Sequence, residues 1–140
     1  MIKITKERSV SIDDVLPLYQ AVGWTNYTNQ PQMLEQALSH SLTTYLARDG
    51  EEIVGLVRLV GDGFSSVFVQ DLIVLPSYQR QGIGSALMKQ ALADYKDAYQ
   101  VQLATEETEK TLGFYRSLGF ETLSSFQCTG MILVGRKKFK

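Results

Sequence analysis

A β-branched run from Ser66 to Leu75 passes through the Pro76-Ser77 break and the glycine pair Gly82 and Gly84 into an apolar pattern of helical period. Ile83, Leu87 and Ala91 with Met88, Leu92 and Tyr95 give that helix one broad apolar face, which needs a sheet to cover it. A strand handed to a helix over glycines also brings backbone close to a ligand, because no Cβ stands in the way. The first helical turn carries unpaired N–H groups and partial positive charge, so a phosphate is its natural guest.

The rest of the chain supplies the sheet. Met1 to Thr5 alternates as a short strand. Ser11, with Asp14 three residues on, has the form of a capping box before Val15, Leu18, Tyr19 and Val22. Pro17 inside this helix predicts a kink or a later start, and Gly23 a stop. Pro31 opens a second helix with Met33, Leu34, Ala37 and Leu38, and residues 23–28 form a loop between the two. Thr43 to Ala47 and Ile53 to Val60, split by Asp49-Gly50, lead through Gly61-Asp62-Gly63 into Ser66 to Leu75 as an antiparallel meander. Tyr99 to Ala104 reads as a strand parallel to its predecessor, Thr108 to Leu118 as a helix stopped at Gly119, and Phe120 to Phe126 and Met131 to Val134 as two final strands. The class is α+β, with a mixed, mostly antiparallel sheet flanked by helices.

A chain of 140 residues, 44% hydrophobic, suits one domain. Fourteen basic residues against fifteen acidic give no electrostatic footprint for nucleic acid or an anionic membrane. The lone Cys128, the missing signal peptide and the lack of a long apolar run point to a soluble protein of the reducing cytoplasm. Arg136 to Lys140 reads as a solvated basic tail, and no metal-binding pattern stands out.

The glycine turn fits neither common nucleotide motif. Ser85-Ala86 follows Gly84 where a P-loop has Lys-Ser/Thr, and Leu87 stands where the dinucleotide fingerprint has its third small residue. "FYRSLGF", Phe114 to Phe120, lies about thirty residues further on, leaving a helix for a glycine-stopped turn. With Gln79-x-x-Gly82-x-Gly84, it resembles the GCN5-related N-acetyltransferase (GNAT) superfamily over nearly the whole chain, implying one N-acetyltransferase domain across residues 1–140. Trp24, Val60 to Gly63 and Gln70 to Val74 are similar to small bacterial members related to plant arylalkylamine acetyltransferases.

The resemblance implies acetyl-CoA as acyl donor, its pyrophosphate on the amides of Gln81, Gly82, Ile83, Gly84 and Ser85, with Gln79 and Arg80 beside them. Leu72, Ile73 and Val74 would pair with the pantetheine amides, and Tyr115 would protonate the departing thiolate. The acceptor would be the primary amine of a small molecule, an aryl-alkylamine or a polyamine, attacking directly in a ternary complex. For its deprotonation the residues offer Asp71, a carboxylate in an apolar strand, and Glu106; a structural hydrogen bond for Asp71 stays open. Trp24 and Tyr27 would either stack on the acceptor or belong to the core. A non-catalytic acyl-CoA sensor is the rival reading, and a homodimer through an edge strand near the C-terminus is allowed.

Overall fold

Six consecutive residues of β3 (Glu52–Gly61), Val54 to Leu59, are buried, because this central strand is covered on both faces. The structure, a computed structural model, describes residues 1–136, which fall into two units, Met1–Leu103 and the residues from Ala104 onward. The first unit is a five-stranded sheet in the order β1 (Ile2–Glu7), β2 (Thr43–Asp49), β3, β4 (Ser66–Val74), β5 (Gln100–Leu103). Neighbours are antiparallel except β4 and β5, which are parallel. The intervening α4 (Ile83–Asp94) makes that crossover, as a parallel pair requires.

On one face lie α1 (Ile12–Ala21), the four-residue α2 (Thr25–Thr28) and α3 (Pro31–Ser39). They bury Val15, Leu18, Leu34 and Leu38 against Leu46, Leu56 and Ile73. On the other face α4 buries Ile83, Leu87, Met88 and Ala91, the stripe its period predicts, and Tyr45 of β2 donates to Asp94 at 2.8 Å. No helix among the described residues is long and apolar enough to cross a membrane.

Local predictions fail for identifiable reasons. Ser11 is the N-cap of α1, but its hydroxyl makes no cap bond, because the Asp14 N–H it would accept already donates to the Ser11 carbonyl at 3.1 Å. The helix starts at Ile12 despite Pro17, so the later start does not occur. Residues 25–28 form a helical turn rather than a loop. In the second unit α5 (Glu109–Ser117) is capped by Thr108, whose hydroxyl accepts from the Thr111 N–H at 3.2 Å, but the two final strands do not form. Leu123–Phe126 is a 3-10 turn whose Ser124 and Ser125 hydroxyls both meet that of Thr122, a local bonding that competes with strand pairing. Residues 131–134 have neither helix nor strand structure. Most of the basic tail, residues 137–140, lies outside the described residues.

Candidate active site

The turn between β4 and α4 alternates its backbone hand. Arg80 has φ +67° and Gly82 φ +79°, while Gln81 between them stays at negative φ. Such alternation gathers successive N–H groups into one concavity, an anion cradle. A left-handed conformation costs a residue with a side chain about 1–2 kcal/mol, so Arg80 stores strain where a ligand would be bound. Gly82 is the N-cap of α4, and no side chain caps the helix. A Cβ at Gly82 would meet nothing within 4 Å, so its glycine is required by φ rather than by crowding. Gln79, Arg80 and Gln81 are exposed, and Gly84 and Ser85 half-buried.

The strand leading into this turn offers an open edge. β5 pairs with β4 only from Ser66 to Val69, so no described strand pairs with Gln70 to Val74 on that side. The Leu75 N–H donates to the Val54 carbonyl at 2.9 Å, which fixes the alternation further up the strand. Ile73 directs its N–H and C=O at β3, and Leu72 and Val74 direct theirs at the open edge. Gln79 Nε2 already donates to the Val74 carbonyl at 3.2 Å. Of the three residues expected to meet a pantetheine chain, Leu72 and Val74 have backbone groups to offer. Ile73 is held by the sheet, with its side chain in the core.

A β-bulge then changes which face β4 buries. Arg58 pairs with Asp71 but Leu59 pairs with Val69, leaving Gln70 without a partner on β3. Asp71 therefore faces α1 and α2, where its carboxylate is fully buried. Oδ2 accepts from Arg58 Nε at 2.7 Å and from the Tyr19 hydroxyl at 2.8 Å, and Oδ1 from the Tyr27 hydroxyl at 3.0 Å. Arg58 also donates to the Ser41 hydroxyl at 3.1 Å and the Tyr27 hydroxyl at 3.2 Å. Burial opposes the Arg58 charge most strongly, but Asp71 together with Tyr19 and Tyr27 outweighs it and holds the guanidinium above its ordinary range. Burial first, then the Asp71 charge, pushes both tyrosines above the ordinary phenol value of 10.

This is the hydrogen-bonded alternative the sequence left open for Asp71: its two oxygens accept from three donor groups. Tyr27 likewise belongs to the core. Trp24 remains half-buried, its ring 6.1 Å from Tyr19 and 6.3 Å from Tyr27.

In the second unit Tyr115 is half-buried on α5, its ring edge-on to Phe114 at 5.0 Å and Phe120 at 5.9 Å. Burial raises its hydroxyl above the ordinary value, so the phenol keeps its proton at neutral pH. Glu106 is exposed and precedes the Thr108 cap, outside the first turn of α5. No group of three His, Cys, Asp or Glu side chains that could hold a metal occurs among the described residues.

A family model described as the acetyltransferase (GNAT) domain matches residues 40–122. The chain belongs to the GNAT acetyltransferase family. A GNAT family acetyltransferase from Streptococcus pneumoniae TIGR4 is 72% identical, with a TM-score of 0.90 over 98% of this chain and 100% of that one. Serotonin N-acetyltransferase 2, chloroplastic, of Oryza sativa subsp. japonica is 34% identical over 95 residues, 65% of this chain and 48% of its own length. The chain thus spans about half of that relative. A GNAT family acetyltransferase from Elizabethkingia anophelis, solved with acetyl-CoA bound, shares the fold, at 23% identity and a TM-score of 0.63 over 86% of this chain and 76% of that one.

Sequence reasoning missed Arg58, Tyr19 and Ser41. The available signal was one arginine inside Leu56-Val57-Arg58-Leu59-Val60, an apolar run that needs an acid opposite any charge it buries.

Proposed function

We propose that this chain is an acetyl-CoA-dependent N-acetyltransferase that passes the acetyl group to the primary amine of a small molecule by direct attack in a ternary complex. One observation carries the reading. The open β4 edge, with the Leu72 and Val74 amides aimed at it, runs into the alternating-hand turn and the uncapped start of α4. The edge suits an extended amide chain and the turn a pyrophosphate, which is the succession of groups in coenzyme A. In this role the amides from Gln81 to Ser85 hold the phosphates, Arg80 adds charge, and an amide of the Leu72–Val74 strand polarises the thioester carbonyl, worth about 3 kcal/mol of barrier.

The free amine attacks the acetyl carbonyl, the C–S bond breaks, Tyr115 gives its proton to the leaving thiolate, and the proton shed by the amine nitrogen passes through water to restore the Tyr115 phenol. Asp71 serves as a positioning residue through Arg58 and Tyr27 rather than as the direct base, because its oxygens are enclosed. Trp24 contacts the acceptor, an aryl-alkylamine or polyamine, and Glu106 attracts its ammonium form. Residues 1–140 act as one acetyltransferase domain.

The test is release of free thiol from acetyl-CoA with a panel of primary amines, beside calorimetric titration of the coenzyme. Binding with amine-dependent thiol release is expected. Tight binding with no release for any amine would instead favour an acyl-CoA sensor.

A further inference from the structure

The span from Arg80 to Gly82 has left-handed φ at both ends, yet the N–H groups of its three residues donate to no acceptor among the described residues. A left-handed conformation is disfavoured for a residue with a side chain, so Arg80 would leave it if nothing held the turn. The shape is therefore imposed from the two ends. On the far side, Ile83 and Leu87 fix the start of α4 in the core.

On the near side, a side chain pins the short 3-10 turn Pro76–Tyr78. The Tyr78 hydroxyl donates to Asp49 Oδ2 at 2.7 Å, with Glu52 Oε1 at 3.4 Å. These two carboxylates belong to residues that face one another in the β2–β3 register, so the ladder, rather than the hairpin turn at Gly50, sets where the acceptors stand. Hydrogen bonding to Asp49 pushes the Tyr78 hydroxyl up to about 12, and it remains a donor throughout the neutral range. The bond from Gln79 to the Val74 carbonyl is a second tie one residue further on.

We propose that Tyr78 is a positioning residue: through Asp49 it holds the turn from Arg80 to Gly82 in its anion-binding form before a ligand arrives. That the anion is the pyrophosphate of the coenzyme rests on the acetyltransferase reading above; the hold on the turn does not.

Tyr78→Phe removes only the hydroxyl. In the ligand-free chain, trypsin cleavage after Arg80 requires the turn to open, and it should quicken about fivefold for one lost hydrogen bond, while cleavage after the exposed Arg8 keeps its rate. With acetyl-CoA, the dissociation constant and KM should rise by the same factor and kcat at saturating coenzyme should stay within about twofold. KM for S-acetylpantetheine, a thioester without the diphosphate, should not move. Adding Asp49→Ala to Tyr78→Phe should change none of these further, because the two side chains share one bond. Unchanged cleavage after Arg80, or equal losses for acetyl-CoA and S-acetylpantetheine, overturns the proposal. A wild-type chain without affinity for acetyl-CoA would instead fail the coenzyme reading, and the cleavage ratio alone would still decide whether Tyr78 holds the turn.

Discussion

Arg58 Nε stands 2.7 Å from Asp71 Oδ2 across the β3–β4 register, with 4% and 0% of the two side chains exposed. The pair sits at the bulge where β4 changes the face it buries, and the charges meet only in that one register. The next residue is Leu72, whose amide the same register aims at the open edge. The ion pair thus fixes the alternation that leaves this amide free, and through Tyr19 and Tyr27 it ties α1 and α2 to the sheet.

Asp71→Asn should therefore act on stability before chemistry. It leaves the Arg58 charge buried and uncompensated, a loss of about 3–5 kcal/mol by urea unfolding. Adding Arg58→Met should recover part of it, since the two side chains share one interaction. If the folded single variant keeps less turnover, raising the pH should not restore it. Partial recovery with alkali would return Asp71 to the role of direct base.

Gly82→Val should abolish coenzyme binding, and the control that separates this from strain is Gly50→Val. Both glycines have left-handed φ, +79° and +63°, and a Cβ at either meets nothing within 4 Å. Each substitution should cost about 1–2 kcal/mol in thermal unfolding from φ alone. Only Gly82→Val should lose acetyl-CoA affinity by calorimetry. Equal affinities in the two variants would remove the turn from the binding site.

What the sequence made legible is what depends on periodicity and punctuation. The α4 stripe from Ile83 to Ala91, the Asp49-Gly50 hairpin and Pro31 at the start of α3 are local signals, and they appear where read. The α+β sheet order followed from them. Pairing across the sheet was not legible: Arg58 lies thirteen positions from Asp71, and only the register brings them together. The final strands were misread because apolar alternation measures readiness to pair, while a strand also needs a neighbour. Ser124 and Ser125 turned one segment on itself, and residues 131–134 pair with no strand among the described residues.

The buried tyrosines set an alkaline limit on stability. Tyr19, Tyr27 and Tyr45 all have hydroxyls raised above 10, by burial first and then by Asp71 for the first two and by the hydrogen bond to Asp94 for the third. Below pH 10 both folded and unfolded chains keep these protons, and the contribution is fully present. As pH rises past about 10 the unfolded chain ionises while the folded chain does not, so each group lowers stability by up to about 1.4 kcal/mol per pH unit until its folded value is reached. Urea midpoints should be flat from pH 7 to about 9.5 and then fall, less steeply in Tyr45→Phe. A midpoint independent of pH up to 11 would contradict this.

Tyr115→Phe tests the proposed acid, and the burial that raises the phenol makes the test clean. The hydroxyl stays protonated across neutral and mildly alkaline pH, so turnover there should show no loss from Tyr115 ionisation. Phenylalanine keeps the edge-on packing with Phe114 and Phe120, so stability should change by about 1 kcal/mol or less. Loss of a general acid should lower turnover by a factor of about 10² to 10⁴, while the acetyl-CoA dissociation constant stays within a few-fold. The deficit should shrink with an acyl donor whose thiol is more acidic, because a better leaving group needs less protonation. Turnover of wild type over variant, measured with acetyl-CoA and with one activated thioester, is the deciding pair of ratios. If the first is near one, or if both are equally large, Tyr115 is a packing residue of α5 and the thiolate leaves without its proton.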